Sequence, residues 1–171
     1  MELVDVVDMN GNPTGVVLDK KEARERNLIY KVIVVFVIND SKQVLFQKRS
    51  ANLRYMPNRW ALCAGHVKAS EGLEDAAIRE VKEEMGLDVS KEKIHSFGEV
   101  EDNIGENDSH LTYFFYIKTN KKENEFILQP EEVSEVKWFD IDEMIDMIKN
   151  KDDRIFYTER RIKLFEEIKN K

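Results

Sequence analysis

Cysteine occurs once in these 171 residues, at Cys63, so no disulfide can form within the chain and a reducing compartment, the cytoplasm, is the expectation. Long apolar runs are missing too. The longest, Val32 to Ile38, has seven residues, where a membrane-spanning helix needs about 20. The opening MELVDVVD carries acids where an export signal would carry a basic stretch. Three prolines and seven glycines build no linker, and neither a repeat nor a low-complexity tract divides the chain, so residues 1–171 read as a single domain. Positive charge is in deficit: 27 Lys and Arg against 34 Asp and Glu give 27 − 34 = −7. That balance argues against nucleic-acid polymers and anionic membranes as partners. It leaves room for a single nucleotide, whose phosphate local groups and a metal can bind.

What is present is an ordinary globular pattern long enough to bury a core. Leu3–Val7 and Gly15–Leu18 flank Asn10-Gly11-Asn12-Pro13, the pattern of two short strands around a turn, within an N-terminal region spanning residues 1–30. Lys20 to Asn27 is mostly charged and fits a short helix or a loop. Lys31 to Asn39 is apolar without alternation and β-branched, as expected of a central strand covered on both faces, and Gln43 to Arg49 returns beside it. From Glu71 to Met85 the period becomes helical, with Ala77, Val81 and Met85 at i, i+4 and i+8 and Gly86 as a stop. Ile94–Val100, Leu111–Lys118 and Glu135–Phe139 read as further strands, and 140–149 and 154–169 as closing helices within a C-terminal region 140–171. Strands on either side of a central helix, then helices, predict a layered α/β sandwich with a mixed sheet.

The chemistry is concentrated in GHVKASEGLEDAAIREVKEEMGL, residues 65–87. At about 100° per residue, Glu83 lies near −60° and Glu84 near +40° relative to Glu80, so the three carboxylates share one sector about 100° wide. Such crowding is repulsive unless a cation neutralises it, and hard oxygen ligands suit Mg²⁺ or Mn²⁺. A solvated acidic helix face is the alternative that geometry alone leaves open.

Gly65, five residues, Glu71, seven residues, then Arg79-Glu80-Val81-Lys82-Glu83-Glu84-Met85-Gly86-Leu87 resembles the Nudix box, G-x5-E-x7-R-E-U-x-E-E-x-G-U, at every defined position. With average residue usage a chance match in one window is roughly 10⁻⁹ to 10⁻¹⁰. The resemblance implies a Nudix-type α/β/α sandwich with a mixed central β-sheet. It implies that Gly65, Glu80, Glu83 and Glu84 hold Mg²⁺ or Mn²⁺, and that Glu71 and Arg79 form a structural ion pair. The implied reaction is hydrolysis of a nucleoside diphosphate linked to another moiety, with water attacking one phosphorus and a proton leaving to Glu83, Glu84 or an acid of another loop. Glu99, Glu101, Asp102, Glu106 and Asp108 lie where that further acid commonly sits, and Glu101 is the expected one. Arg49 and Arg59 are the expected phosphate contacts. Lys48 alternates with Arg49 across a strand, so only one of the two can face the cleft; Arg54 is a further cation. Tyr30, Tyr55, Phe114, Tyr116 and Trp138 include any residue able to stack on a base. Many relatives are dimers, so a homodimer is one expectation.

VDVVDMNGNPTG and VLFQKRSANLRYMPNRWALCAGHV resemble, within the same family, the branch around type I isopentenyl-diphosphate isomerase. That chemistry calls for cysteine immediately before the box glycine, a glutamate in a later strand and a histidine-rich metal site. Here Ala64 precedes Gly65, His110 stands near the glutamate position, Tyr30 stands before the central strand, and of the histidines only His66 remains. The hydrolase is therefore the expected activity, with the isomerase and a non-catalytic nucleotide-binding protein as alternatives. Cys63 reads as a small apolar residue packed under the loop.

Overall fold

The computed structural model describes residues 1–105, 107–156 and 158–171. Its elements in chain order are β1 (Leu3–Val7), β2 (Pro13–Asp19), α1 (Lys20–Glu25), β3 (Tyr30–Ile38), β4 (Gln43–Arg49), β5 (Trp60–Ala61), β6 (Cys63–His66) and α2 (Leu73–Met85). There follow β7 (His95–Ser96), β8 (Glu101–Asn103), β9 (His110–Lys118), β10 (Val133–Asp140), α3 (Ile141–Lys149) and α4 (Ile162–Ile168). β1 and β2 pair as a hairpin. The main sheet runs β10-β4-β3-β9-β7, with β5 on β4, β6 on β3 and β8 on β9. β3 and β9 are parallel and the other pairings antiparallel, so the sheet is mixed.

The unalternating β3 is explained by two-sided burial. Ile33, Val35 and Val37 pack with Ala77, Val81 and Met85 of α2 on one face. Val34, Phe36 and Ile38 pack with Met144, Ile145, Ile148, Leu164, Phe165 and Ile168 of α3 and α4 on the other. Each such fully buried Val, Ile or Phe stabilises the fold by about 1.5–3 kcal/mol. The result is the α/β/α sandwich with a mixed central sheet. Among the described residues no helix is long and apolar enough to cross a membrane.

Among the expected elements that differ in extent, three show a physical cause. The 94–100 strand is cut to His95–Ser96, because Gly98 adopts φ +69 and turns the chain towards β8. A Cβ at Gly98 would overlap the end of the Leu164 side chain, so any other residue there would have to displace that side chain and hold a positive φ as well. The 154–169 helix starts eight residues late, at Ile162, because Ile155 forms a parallel bridge with Trp60, and Trp60 N–H donates to Arg154 O while Phe156 N–H donates to Trp60 O. Helix α2 begins at Leu73 rather than Glu71, since the Glu71 carboxylate is used by the loop before it.

Candidate active site

β6 brings the box loop against the sheet, with Gly65 opposite Ile33 on the face that α2 covers. Arg79 ties that loop to the helix. Its Nε and Nη2 donate to Glu71 Oε1 and Oε2 at 2.7 and 2.9 Å, and Nη2 also donates to the His66 carbonyl at 3.0 Å. The same guanidinium reaches Glu80 Oε1 at 2.6 Å and Glu83 Oε2 at 3.3 Å. Glu71 in turn accepts the Lys68 backbone N–H at 2.9 Å. The bond to Glu71 leads in holding the Arg79 guanidinium firmly protonated.

The three clustered carboxylates differ in surroundings. Glu80 and Glu84, one turn apart, are 7% and 8% exposed, whereas the Glu83 side chain is 48% exposed. A Cβ built on Gly65 would overlap the Glu80 carboxylate, so glycine is what lets that group lie against the Gly65 backbone. A Gly65→Ala variant is expected to displace Glu80 and cost about 1–3 kcal/mol of stability; chemical denaturation alongside a metal titration checks both effects. Glu84 faces two strands. Gln47 Nε2 on β4 donates to its Oε2 at 2.6 Å, and the buried Cys63 thiol on β6 lies beside it. Burial pushes the Glu84 carboxyl up to about 8, with nearby Glu80 adding to the rise and the Gln47 bond opposing it. Burial likewise raises Glu80, against the pull of Arg79.

Among the described residues no three His, Cys, Asp or Glu side chains stand close enough together to form a ready metal cage. The carboxylates of Glu80 and Glu83 turn instead towards Arg79, and Glu83 lies 3.9 Å from Lys68 Nζ. The donor set nevertheless fits a hard divalent cation in kind: three carboxylates on one helix, with the Gly65 backbone exposed to one of them by the missing side chain.

The remaining candidates are more dispersed. Arg49 ends β4 with Nε and Nη2 donating to Tyr55 O at 3.1 and 3.0 Å, and its backbone N–H donates to Arg59 O at 2.9 Å. Arg49 and half-buried Arg59 thus flank one loop, 50–58. Lys48, on the opposite face, sits 3.8 Å from Glu135 and over the Trp60 ring; Arg54 is exposed. Tyr55 meets Phe156 edge-on, whereas Phe114 and Trp138 pack with the two cores.

Glu101 is not gathered with the box. Register runs His66–Val32–Thr112–Glu101 across four strands. Both its oxygens take Arg161, with Nη2 to Oε1 at 3.0 Å and Nε to Oε2 at 3.1 Å. Burial alone would raise the Glu101 carboxyl, and Arg161 more than offsets it, so the group titrates below its usual 4.5. A depressed carboxylate adds stability above its unfolded pKa and loses it as pH falls through the folded one. Glu101→Gln, which mimics the protonated group, is therefore expected to cost about 1.5–3 kcal/mol at pH 7. That gap closes as pH drops below 4.5, which thermal melts of both proteins over pH 3–7 would reveal. Neighbouring Asp102 takes Arg160 at 3.2 Å, Glu99 is exposed, and Glu106 lies outside the described residues.

Asp108 is also engaged: Arg24 Nη2 donates to Oδ2 at 2.6 Å and Tyr30 OH to Oδ1 at 2.5 Å, while His110 Nδ1 contacts the Asp108 carbonyl at 3.0 Å. Tyr30 is level with His110, and Ala64 with Val34, on the sheet face away from α2. Ala64 is exposed on that face; Cys63 points to the other, into the α2 core. His66 sits between Lys20 Nζ, 3.4 Å from Nδ1, and Glu2, 3.6 Å from Nε2, and burial, with Lys20, holds its pKa down near 4. Sequence reasoning missed Gln47, Lys20, Glu2 and Arg161. Only Gln47 left a local trace, as a polar residue two places after Leu45 on the core side of a strand.

Comparison with known proteins shows what the chain is similar to. The family model described as the NUDIX domain matches residues 29–159. An isopentenyl-diphosphate Delta-isomerase 2 of Photorhabdus laumondii is 29% identical, covering 89% of this chain and 85% of its own. An uncharacterized Nudix hydrolase of Clostridium acetobutylicum is 31% identical, over 91% of this chain and 78% of its own. Among solved structures, DR0079 from Deinococcus radiodurans superposes with a TM-score of 0.77 at 17% identity, covering 97% of this chain and 98% of that one.

Proposed function

Because the chain belongs to the NUDIX domain family, we propose that it is a divalent-metal-dependent hydrolase of phosphorus anhydrides, cleaving a nucleoside diphosphate linked to another moiety. The observation that carries this reading is the contact of Glu80 with the bare Gly65 backbone, one helical turn from Glu84. Gly65 O, Glu80, Glu83 and Glu84 would hold Mg²⁺ or Mn²⁺. When bound, the ion supplies charge neutralisation on the diphosphate and a lowered pKa for water.

The chain's own groups do the rest. Glu83 accepts the proton, being the exposed carboxylate of the three. Glu84 stays buried and directed by Gln47. Arg49 and Arg59 meet the phosphates from the loop that closes on β4. The Arg79–Glu71 pair keeps the loop and helix in one arrangement. Glu101 keeps Arg161 on the sheet instead of taking the proton, since both its oxygens already accept from that guanidinium.

A second reading, isomerisation of an isoprenoid diphosphate, follows from what several curated relatives are named. Against it stand Ala64 on the open face, where a thiol would be needed, and Cys63 turned into the core. The test is product analysis across nucleoside diphosphates, triphosphates, nucleotide sugars, dinucleotides and isopentenyl diphosphate, with and without Mg²⁺. Metal-dependent cleavage of one nucleotide class is the expected result. Conversion of isopentenyl diphosphate alone would replace the hydrolase by the isomerase, and binding without turnover of any compound would replace both by a binding protein.

A further inference from the structure

We infer that Gln47 is a positioning residue for Glu84, an assignment that rests on the metal-site reading above: its side-chain amide fixes the direction in which that carboxylate faces the box loop.

Gln47 lies on the α2 side of β4, two residues beyond Leu45, and is only 4% exposed. Its ladder neighbours are Val136 and Ala61, both buried and apolar. An amide in that slot has to justify its desolvation. It does so through one bond: Nε2 donates to Glu84 Oε2 at 2.6 Å, while Oε1 has no hydrogen-bond partner among the described residues. A methionine would fill a similar volume and remove the unsatisfied Oε1, but it would take the donor away from Glu84 Oε2. Packing therefore does not explain glutamine at this position, and the bond to Glu84 does.

The chemistry of the donor matters as much as its place. An arginine or lysine at position 47 would neutralise Glu84 and compete with a metal cation for it. A neutral amide engages one oxygen and brings no positive charge to compete with a cation there. The Cys63 thiol, also neutral, reaches the same carboxylate from β6. Two uncharged donors on two strands thus hold one helix carboxylate, in contrast to Glu80 and Glu83, which share the charged Arg79. Outer partners of this kind set the direction of a ligand and commonly govern affinity for the ion.

The test is calorimetric titration of Mn²⁺ into the metal-free full-length chain. Gln47→Met is expected to weaken Mn²⁺ binding about 10- to 100-fold and to alter the Mn²⁺ EPR line shape, while the melting temperature stays near wild type, because removing the unsatisfied Oε1 offsets the donor lost from Glu84. Gln47→Leu repeats the test with a different shape. The discriminating comparison is the double variant with Glu84→Gln. If Gln47 acts through Glu84, the double variant binds Mn²⁺ no more weakly than Glu84→Gln alone. Wild-type affinity in both position-47 variants, or full additivity in the double variant, would overturn the inference and leave the metal site standing. Absence of Mn²⁺ binding by the wild-type chain would overturn both.

Discussion

Glu84→Gln is expected to lower turnover more than a hundredfold and yet leave the metal-free protein as stable as wild type, or more stable. The two halves have one cause. Glu84 is 8% exposed and faces Gln47 and Cys63 rather than a cation. Burial makes its ionised form costly, and its pKa rises from 4.5 to about 8. A native group with a raised pKa binds more protons than its unfolded counterpart, so wild-type stability falls as pH climbs through that interval. Glutamine imitates the protonated carboxyl and removes this loss. The stability advantage of the variant is therefore absent below pH 4.5 and grows towards pH 8. Turnover moves the other way because an amide oxygen carries no charge to hold the divalent ion. Melting curves across pH together with steady-state kinetics in Mg²⁺ check both parts. Loss of activity through unfolding would show as a lowered melting temperature at pH 7, the reverse of the expected sign.

Arg79→Leu is expected to do the opposite, destabilising the fold by about 3–5 kcal/mol. One guanidinium serves Glu71, Glu80, Glu83 and the His66 carbonyl, and the Glu71 and Glu80 side chains are largely buried. Removing it leaves two shielded carboxylates without a counter-charge and detaches the box loop from α2. For a chain of 171 residues that corresponds to a melting-temperature drop of about 6–20 °C. Lysine would restore the charge without the two-pronged bond to Glu71, so Arg79→Lys is expected to recover only part of the loss. Differential scanning calorimetry of the three proteins separates these outcomes.

The contrast between Glu84 and Arg79 marks how far the sequence could be read. Periodicity in 71–85 places Glu80, Glu83 and Glu84 on one flank of a helix, and the structure has that helix from Leu73. It does not say that Glu80 and Glu84 are shielded while Glu83 is open. That depends on β4 and β6 lying over the flank, and the Gln47–Glu84 bond joins residues 37 apart. The Glu101–Arg161 and Tyr30–Asp108 contacts span 60 and 78 residues. No local pattern encodes contacts of that range, so Glu101 looked like one loop acid among five. Composition also hid the breaks at Gly98 and Ile155. The first is a backbone turn at positive φ beside Leu164, and the second a bridge to Trp60 that competes with helix formation. The layers themselves were legible because β3 is apolar on both faces and α2 on one.

The most direct measurement of the central claim is turnover in H₂¹⁸O with Mg²⁺ and with EDTA, followed by mass spectrometry of the products. The account predicts ¹⁸O in one phosphate product of a nucleoside diphosphate derivative, with Mg²⁺ and not with EDTA. Equal turnover in EDTA, or conversion of a diphosphate with no ¹⁸O entering any phosphate, would contradict it.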